Sequence, residues 1–198
     1  MTRPQLLLAT NNPGKLREYT ELLSTCGYEL VTPGQRGIEL EVAETGTTFA
    51  ENAALKARAL AAASGMLTLA DDSGLEVDAL GGAPGVLSAR YAGEGAGDAE
   101  RNALLLKILW EVPVEKRTAR FRCVIAIAVP DGGLRFAEGV VEGRIAFEPH
   151  GSNGFGYDPV FSLPELGKTM AEIAPDEKNR LSHRARAAAA ACKILKDR

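Results

Sequence analysis

Hydrophobic and polar positions change their period several times along the chain, and each change predicts a switch of secondary structure. Gln5-Leu6-Leu7-Leu8-Ala9-Thr10 is a short, nearly continuous apolar run of the kind a buried strand requires. After Asn11-Asn12-Pro13-Gly14-Lys15 the spacing becomes helical, carried by Leu16, Tyr19, Leu22, Leu23 and Cys26. Asn12 suits the cap, Pro13 the first turn and Gly27 the close of that helix. Tyr28 to Thr32 reads as a second short strand, and Pro33-Gly34 opens a glutamate-rich loop that runs through Gly46. Thr48-Phe49-Ala50-Glu51 has the spacing of a capping box, which starts an alanine-rich helix stopping at Gly65.

Further on, Met66 to Ala70 predicts another buried strand, and Asp71-Asp72-Ser73-Gly74 a polar turn that separates it from a strand over Leu75 to Leu80. Asp98 to Trp110 is amphipathic, with Leu104, Leu105, Ile108 and Leu109 expected on the buried side. Phe121 to Val129 and Leu134 to Ile145 flank Asp131-Gly132-Gly133, the composition of a hairpin. A long helix is expected from about Ser182, since alanine is the strongest helix former and Ile194 and Leu195 supply apolar contacts. Strands separated by helices, then an antiparallel section, then a helix predict an α/β fold. The expected architecture is a mixed, twisted central sheet flanked by helices, in two lobes with a cleft between them.

Composition narrows this picture. With 198 residues, 45% of them hydrophobic, the chain has material for one substantial core, so a single catalytic domain over residues 1–198 is expected. Charged residues make up 25% and the net charge is -3, which excludes the basic footprint of a nucleic-acid binder, so any anionic ligand must be gripped locally. Cys26, Cys123 and Cys192 are odd in number and set in apolar surroundings, and are expected as reduced core thiols. The opening apolar run is too short for a signal-peptide core, and no stretch approaches the roughly 20 residues of a membrane span, so no membrane partner and a cytoplasmic location are expected. His150 and His183 are too few and too distant for a zinc site. A bound metal would be held by carboxylates, which favours Mg2+, with Mn2+ as the alternative.

Five stretches carry candidate chemistry. Thr10, Asn11, Asn12, Pro13, Gly14 and Lys15 fall at a helix N-terminus, where backbone N–H groups and the macrodipole attract a phosphate and Lys15 adds a full charge. The pattern is not a Walker A loop, because Ala9 and Leu16 stand where that motif needs glycine and a hydroxyl residue. Asp71 and Asp72 follow an apolar strand, and because neighbouring strand residues point to opposite sides, one of them is expected to face the ligand while the other organises the loop. The ligand-facing carboxylate is suited to bind Mg2+, to activate water, or to do both. The acidic loop Glu39, Glu41 and Glu44 offers a second metal ligand. In Gly151-Ser152-Asn153-Gly154-Phe155-Gly156-Tyr157-Asp158-Pro159 the glycines allow close backbone approach, while Phe155 or Tyr157 offers a face on which a base stacks, the other ring being free to anchor the loop. Lys178, His183 and Arg184 are three donors near the start of the last helix.

Taken together, Ala9–Lys15, Thr48-Phe49-Ala50-Glu51-Asn52-Ala53, Ala70–Leu75, Gly81-Gly82-Ala83-Pro84-Gly85, Gly154–Pro159 and Ser182-His183-Arg184 resemble the Ham1-type family of noncanonical purine triphosphate pyrophosphatases. Six blocks in the same order are specific where any one would be weak. The resemblance implies that Thr10 to Lys15 hold the triphosphate, with Lys56 near the phosphates and Ser73 as a substrate contact. It makes Asp72 base and metal ligand, and gives the second ligand to Glu44, with Glu41 as the alternative. Phe155, Gly156, Tyr157, Asp158, Lys178, His183 and Arg184 correspond to nucleoside-recognition positions. It further implies a homodimer, a purine nucleoside triphosphate as substrate and Mg2+ as cofactor.

The implied reaction is hydrolysis of ITP, dITP and XTP to the monophosphate and pyrophosphate, clearing deaminated purines from the nucleotide pool. Donors at Arg184, His183 or Lys178 would meet the C6 oxygen of hypoxanthine or xanthine, whereas the amino group of adenine leaves buried donors unpaired at about 1–3 kcal/mol. Two alternatives are a Maf-type pyrophosphatase acting on pyrimidine triphosphates and a non-catalytic nucleotide sensor.

Overall fold

A computed structural model describes residues 3–197. In chain order the main elements are β1 (Gln5–Leu8), α1 (Pro13–Leu22), β2 (Glu29–Val31), α2 (Phe49–Ser64), β3 (Thr68–Val77), α3 (Asp98–Ile108), β4 (Thr118–Ala128), β5 (Leu134–Ile145), β6 (Phe161–Leu163), β7 (Lys168–Thr169), α4 (Pro175–Leu181) and α5 (His183–Lys196). The strands form one seven-stranded sheet in the order β2-β1-β3-β4-β5-β6-β7. It is mixed as expected: β1 runs parallel to both β2 and β3, while β6 is antiparallel to β5 and β7 to β6.

Local sequence accounts for the helix ends. Asn12 accepts from the backbone N–H groups of Gly14 and Lys15 and starts α1. Thr48 and Glu51 complete the capping box of α2, and Gly65, at φ 66°, closes that helix in the left-handed region.

The chain divides into two compact units, one built from the segments up to Asp72, Cys123–Gly139 and from His183 onward, the other from Ser73–Arg122 and Val140–Ser182. In the first unit strand alternation feeds two separate cores. Leu6, Leu8, Leu69, Cys123, Ile125 and Ile127 pack with Tyr19 and Leu23 from the α1 region and with Ala187, Ala188 and Ala191 of α5. Leu7, Ala9, Ala70, Ala126 and Ala128 pack with Ala53, Ala57, Leu60 and Ala61 of α2. Successive residues of β1, β3 and β4 therefore serve opposite faces, the period of two that a pleated strand imposes. The second unit has its own core, in which Leu75, Val77, Leu105, Leu109, Phe121, Val141, Phe161 and Met170 meet.

Three expectations are corrected. Asp71-Asp72-Ser73-Gly74 is no turn; β3 passes straight through it to Val77. The strand continues because basic and amide side chains inside the fold partner the two carboxylates, so burying them does not force the backbone out to water. Along α3 and its C-terminal cap the buried stripe is Asn102, Leu105 and Leu109, spaced i, i+3, i+7, which leaves Ile108 44% exposed instead of buried. The structure also pairs Cys26 with Cys192 as a disulfide across 166 residues, with Cα atoms 5.1 Å apart, and Cys123 is a buried free thiol. Sequence separation hides such a pair, since the packing of α5 against α1 creates the proximity. Among the described residues no helix is long and apolar enough to cross a membrane.

Candidate active site

Alternation along β3 decides where its two aspartates go. Leu69 and Ala70 face the α1/α5 core and the α2 core respectively, so Asp71 falls on the first face and Asp72 on the second. The contacts agree. Asp71, 2% exposed, lies 2.8 Å from Lys15 Nζ and 4.0 Å from Arg184 Nε, with Cys123 Sγ 3.8 Å away. Asp72 accepts from Asn52 Nδ2 at 3.1 Å and lies 3.7 Å from Lys56 Nζ, both on α2.

Around Asp71 the charges cancel. Lys15 and Arg184 face Asp71 and Glu18, and Glu18 forms an ion pair with the Arg184 guanidinium, which also lies over the Tyr19 ring. Burial alone would raise the Asp71 carboxyl, but Lys15, Arg184 and Lys56 hold it well below the usual carboxylate range. Burial and the Asp71 charge push the Cys123 thiol up to about 12, so this sulfur is an inert member of the core.

Around Asp72 the balance is acidic. Lys56 Nζ lies 2.6 Å from Glu44 Oε1 and also faces Asp72, so one ammonium serves two carboxylates. Burial raises the Asp72 carboxyl above its ordinary value, and Glu44 adds to the rise against Lys56, Lys15 and Asn52. Burial opposes the charge of Lys56, but Asp71, Asp72 and Glu44 outweigh it and raise this ammonium. The side chains of Glu44 and Asp72 converge on one cation and retain 30% and 10% exposure. Such a hard oxygen pair suits Mg2+, which typically takes one or two carboxylates and completes its shell with water and phosphate oxygens. Among the described residues no group of three or more acidic, histidine or cysteine side chains is gathered around a common point. Of the acidic loop, Glu44 reaches Lys56, while Glu39 and Glu41 are exposed.

The first loop departs from expectation in one respect. The N–H groups of Gly14 and Lys15, expected to be available to an anion, are taken by Asn12 Oδ1 at 2.8 and 3.1 Å. Capping and anion binding compete for the same donors, and here the cap holds them. The positive charge at this loop is therefore that of Lys15.

Ser73, Phe155 to Asp158 and Lys178 belong to the second unit. Lys178 on α4 is 5% exposed and donates to Asp158 Oδ2 at 2.6 Å; the same oxygen accepts from Phe155 N–H at 2.9 Å. The Lys178 ammonium also lies 4.9 Å from the centre of the Phe155 ring. The two aromatics separate: Tyr157 is buried in the core and donates to the Ser88 carbonyl, while Phe155 is half-buried. Gly154, at φ 77°, has no room for a side chain, since a Cβ there would meet Asp158 Oδ2 at 2.0 Å.

Several residues of these clusters were not candidates from sequence. Asn52 is fully buried on α2, accepting from Gly46 N–H at 2.8 Å while donating to Asp72. It thus ties the loop after Glu44 to the strand. Gly46 permits this approach, because a Cβ would fall 2.7 Å from Asn52 Oδ1. Gly139 of β5 admits the first turn of α5, where a Cβ would lie 2.1 Å from the His183 carbonyl oxygen. An asparagine inside an alanine-rich helix, four positions after its cap, is the one such signal the sequence offers.

The sequence profile of the Ham1 family matches residues 6–194. The chain belongs to that family. Among its relatives, the dITP/XTP pyrophosphatase of Desulforamulus reducens is 56% identical over 191 residues, covering 96% of this chain and 95% of the relative. The dITP/XTP pyrophosphatase of Bacillus subtilis is 48% identical, covering 96% of each chain. The solved structure of a HAM1 protein from Coxiella burnetii superimposes with a TM-score of 0.90 at 43% identity, over 98% of this chain and all of that one.

Proposed function

We propose that this protein hydrolyses ITP, dITP and XTP to the nucleoside monophosphate and pyrophosphate, the chain acting as one catalytic domain in the cytoplasm. The observation that carries the reading is the Asp72, Glu44 and Lys56 cluster, an oxygen-rich, partly open centre with a carboxylate raised towards neutrality. A general base works best when its pKa lies near the working pH, and Asp72 is displaced in that direction. When bound, Mg2+, or Mn2+ in its place, offsets the charge of the triphosphate and of the departing pyrophosphate. Asp72 orients water and takes its proton, and Asn52 fixes the direction of the carboxylate. Lys56 and Lys15 hold phosphate oxygens, and no covalent enzyme intermediate is needed.

Base recognition is assigned to Phe155, with Lys178, His183 and Arg184 as candidate donors to the C6 oxygen of hypoxanthine or xanthine. All three donors are at most 5% exposed, and the C6 oxygen of hypoxanthine or xanthine offers such donors an acceptor where the adenine amino group offers none. A homodimer is the assembly the family resemblance implies; sedimentation velocity tests it. Pyrophosphate release from ITP, XTP, UTP and dTTP, with and without Mg2+, tests the reaction. Turnover of ITP and XTP that requires the metal is expected, and a preference for the pyrimidines would overturn the substrate assignment.

A further inference from the structure

We propose that Asp98 and Asn102, neighbours on one face of α3, are positioning residues that clamp the peptide of Gly156 and so fix the Phe155 ring against which the nucleobase stacks. The inference rests on the assignment of Phe155 to the base.

Asp98 Oδ2 accepts from the Gly156 N–H at 2.6 Å, and Asn102 Nδ2 donates to the Gly156 carbonyl at 3.1 Å. Residues four apart on a helix lie above one another, so the pair grips both polar groups of a single residue from one surface. Residues 151–157 belong to no helix or strand, and the loop needs such a grip most at Gly156. Its φ is 66°, and a Cβ there would find open space, so no packing confines it, whereas Gly154 is confined by Asp158. With both groups of Gly156 held, Phe155 is fixed from its C-terminal side, and Asp158 holds it through its own N–H.

The stability of α3 does not explain Asn102. It is 5% exposed in the buried stripe of the helix, and its Oδ1 has no hydrogen-bond partner. A buried orphan acceptor costs stability, and an apolar residue at this end of the stripe would pack without that cost. What the asparagine provides is the bond to Gly156. Asp98 is better placed for α3 itself, standing at its first turn with Arg101 as an ion-pair partner, but its second oxygen is committed to the loop.

The test compares Asn102→Ala, Asp98→Ala and Asp98→Asn with the parent, each with Mg2+ present. Three quantities are read: kcat and KM for ITP, the Kd of IMP by calorimetry, and the inhibition constant of tripolyphosphate, which has no base. Loss of one such bond should raise KM and the IMP Kd about tenfold for each alanine variant, with kcat falling by less. The tripolyphosphate constant should not move, Asp98→Asn should recover most of the IMP affinity because its amide oxygen still accepts, and Asn102→Ala should melt no lower than the parent. Parent-like IMP affinity in both alanine variants overturns the proposal, as does a parallel worsening of IMP and tripolyphosphate binding, which marks general damage. A parent that turns over ITP yet binds IMP unchanged when Phe155 is replaced by alanine sinks the base assignment and the clamp with it.

Discussion

Asp71 and Asp72 are consecutive buried residues of one strand, and their surroundings push them in opposite directions. Asp71 faces α1 and α5, where two cations and two anions neutralise one another, and its carboxyl is held down. Asp72 faces α2, where one ammonium serves two carboxylates, and its carboxyl is raised. A closed, neutral cluster commits its carboxylate, Asp71, to holding the frame. An acidic, partly open cluster carries negative charge that a divalent cation would offset, and is suited to chemistry. The comparison teaches that neither the residue type nor its position along the strand assigns the role; the charge count on each face does.

The largest expected effect separates the two by activity. Asp72→Asn keeps the shape and removes the base, so ITP turnover should fall by about 10²–10⁴-fold, while the melting temperature without metal should stay level or rise, because the native environment disfavours the charge being removed. A marked loss of stability in this variant would place Asp72 in the frame instead. Asp71→Asn should do the reverse to stability: it leaves Lys15 and Arg184 short of a buried partner and is expected to cost about 3–5 kcal/mol in urea unfolding. If it cost less than half a kilocalorie, on the order of a surface pair, the neutral-cluster account would fail.

Smaller effects sharpen the contrast. Asn52→Ala removes the link between Gly46 and Asp72, and should raise the Mg2+ concentration for half-maximal turnover about tenfold, with little change in the saturated KM for ITP. The pH dependence of stability gives the finest test. The native value of Asp71 is depressed, so its contribution is complete above the unfolded value of about 4 and is lost as pH falls towards the native one. The native value of Asp72 is raised, so its contribution is complete below about 4 and is lost as pH rises through the native value. The gap in urea midpoint between parent and Asp71→Asn should therefore close on acidification, and any advantage of Asp72→Asn should grow between acid and neutral pH. Gaps that moved together would show that the two carboxylates share one environment.

Much of the frame was legible along the chain because its signals are local. Asn12 at the cap of α1, the Thr48/Glu51 box of α2, the Gly65 stop and the apolar run of β1 each depend on residues within one or two turns. The polar run in β3 misled for the same reason: Asp71-Asp72-Ser73-Gly74 has the local chemistry of a turn, and only partners of the two aspartates 16 to 113 positions away make it tolerable inside a strand. Ile108 shows a similar limit, since a wide apolar stripe does not say which of its edges meets the core.

What the sequence determined by itself was the set of chemical groups, their order, the capped helices, and the rule that two adjacent aspartates on a strand must part to opposite faces. What the tertiary structure decided was the company each keeps: Lys15 and Arg184 for one, Asn52, Lys56 and Glu44 for the other, and a pair of α3 side chains for Gly156. Helix caps and strand alternation follow from short-range geometry, whereas a buried charge takes its character from whatever long-range packing places within a few ångströms of it.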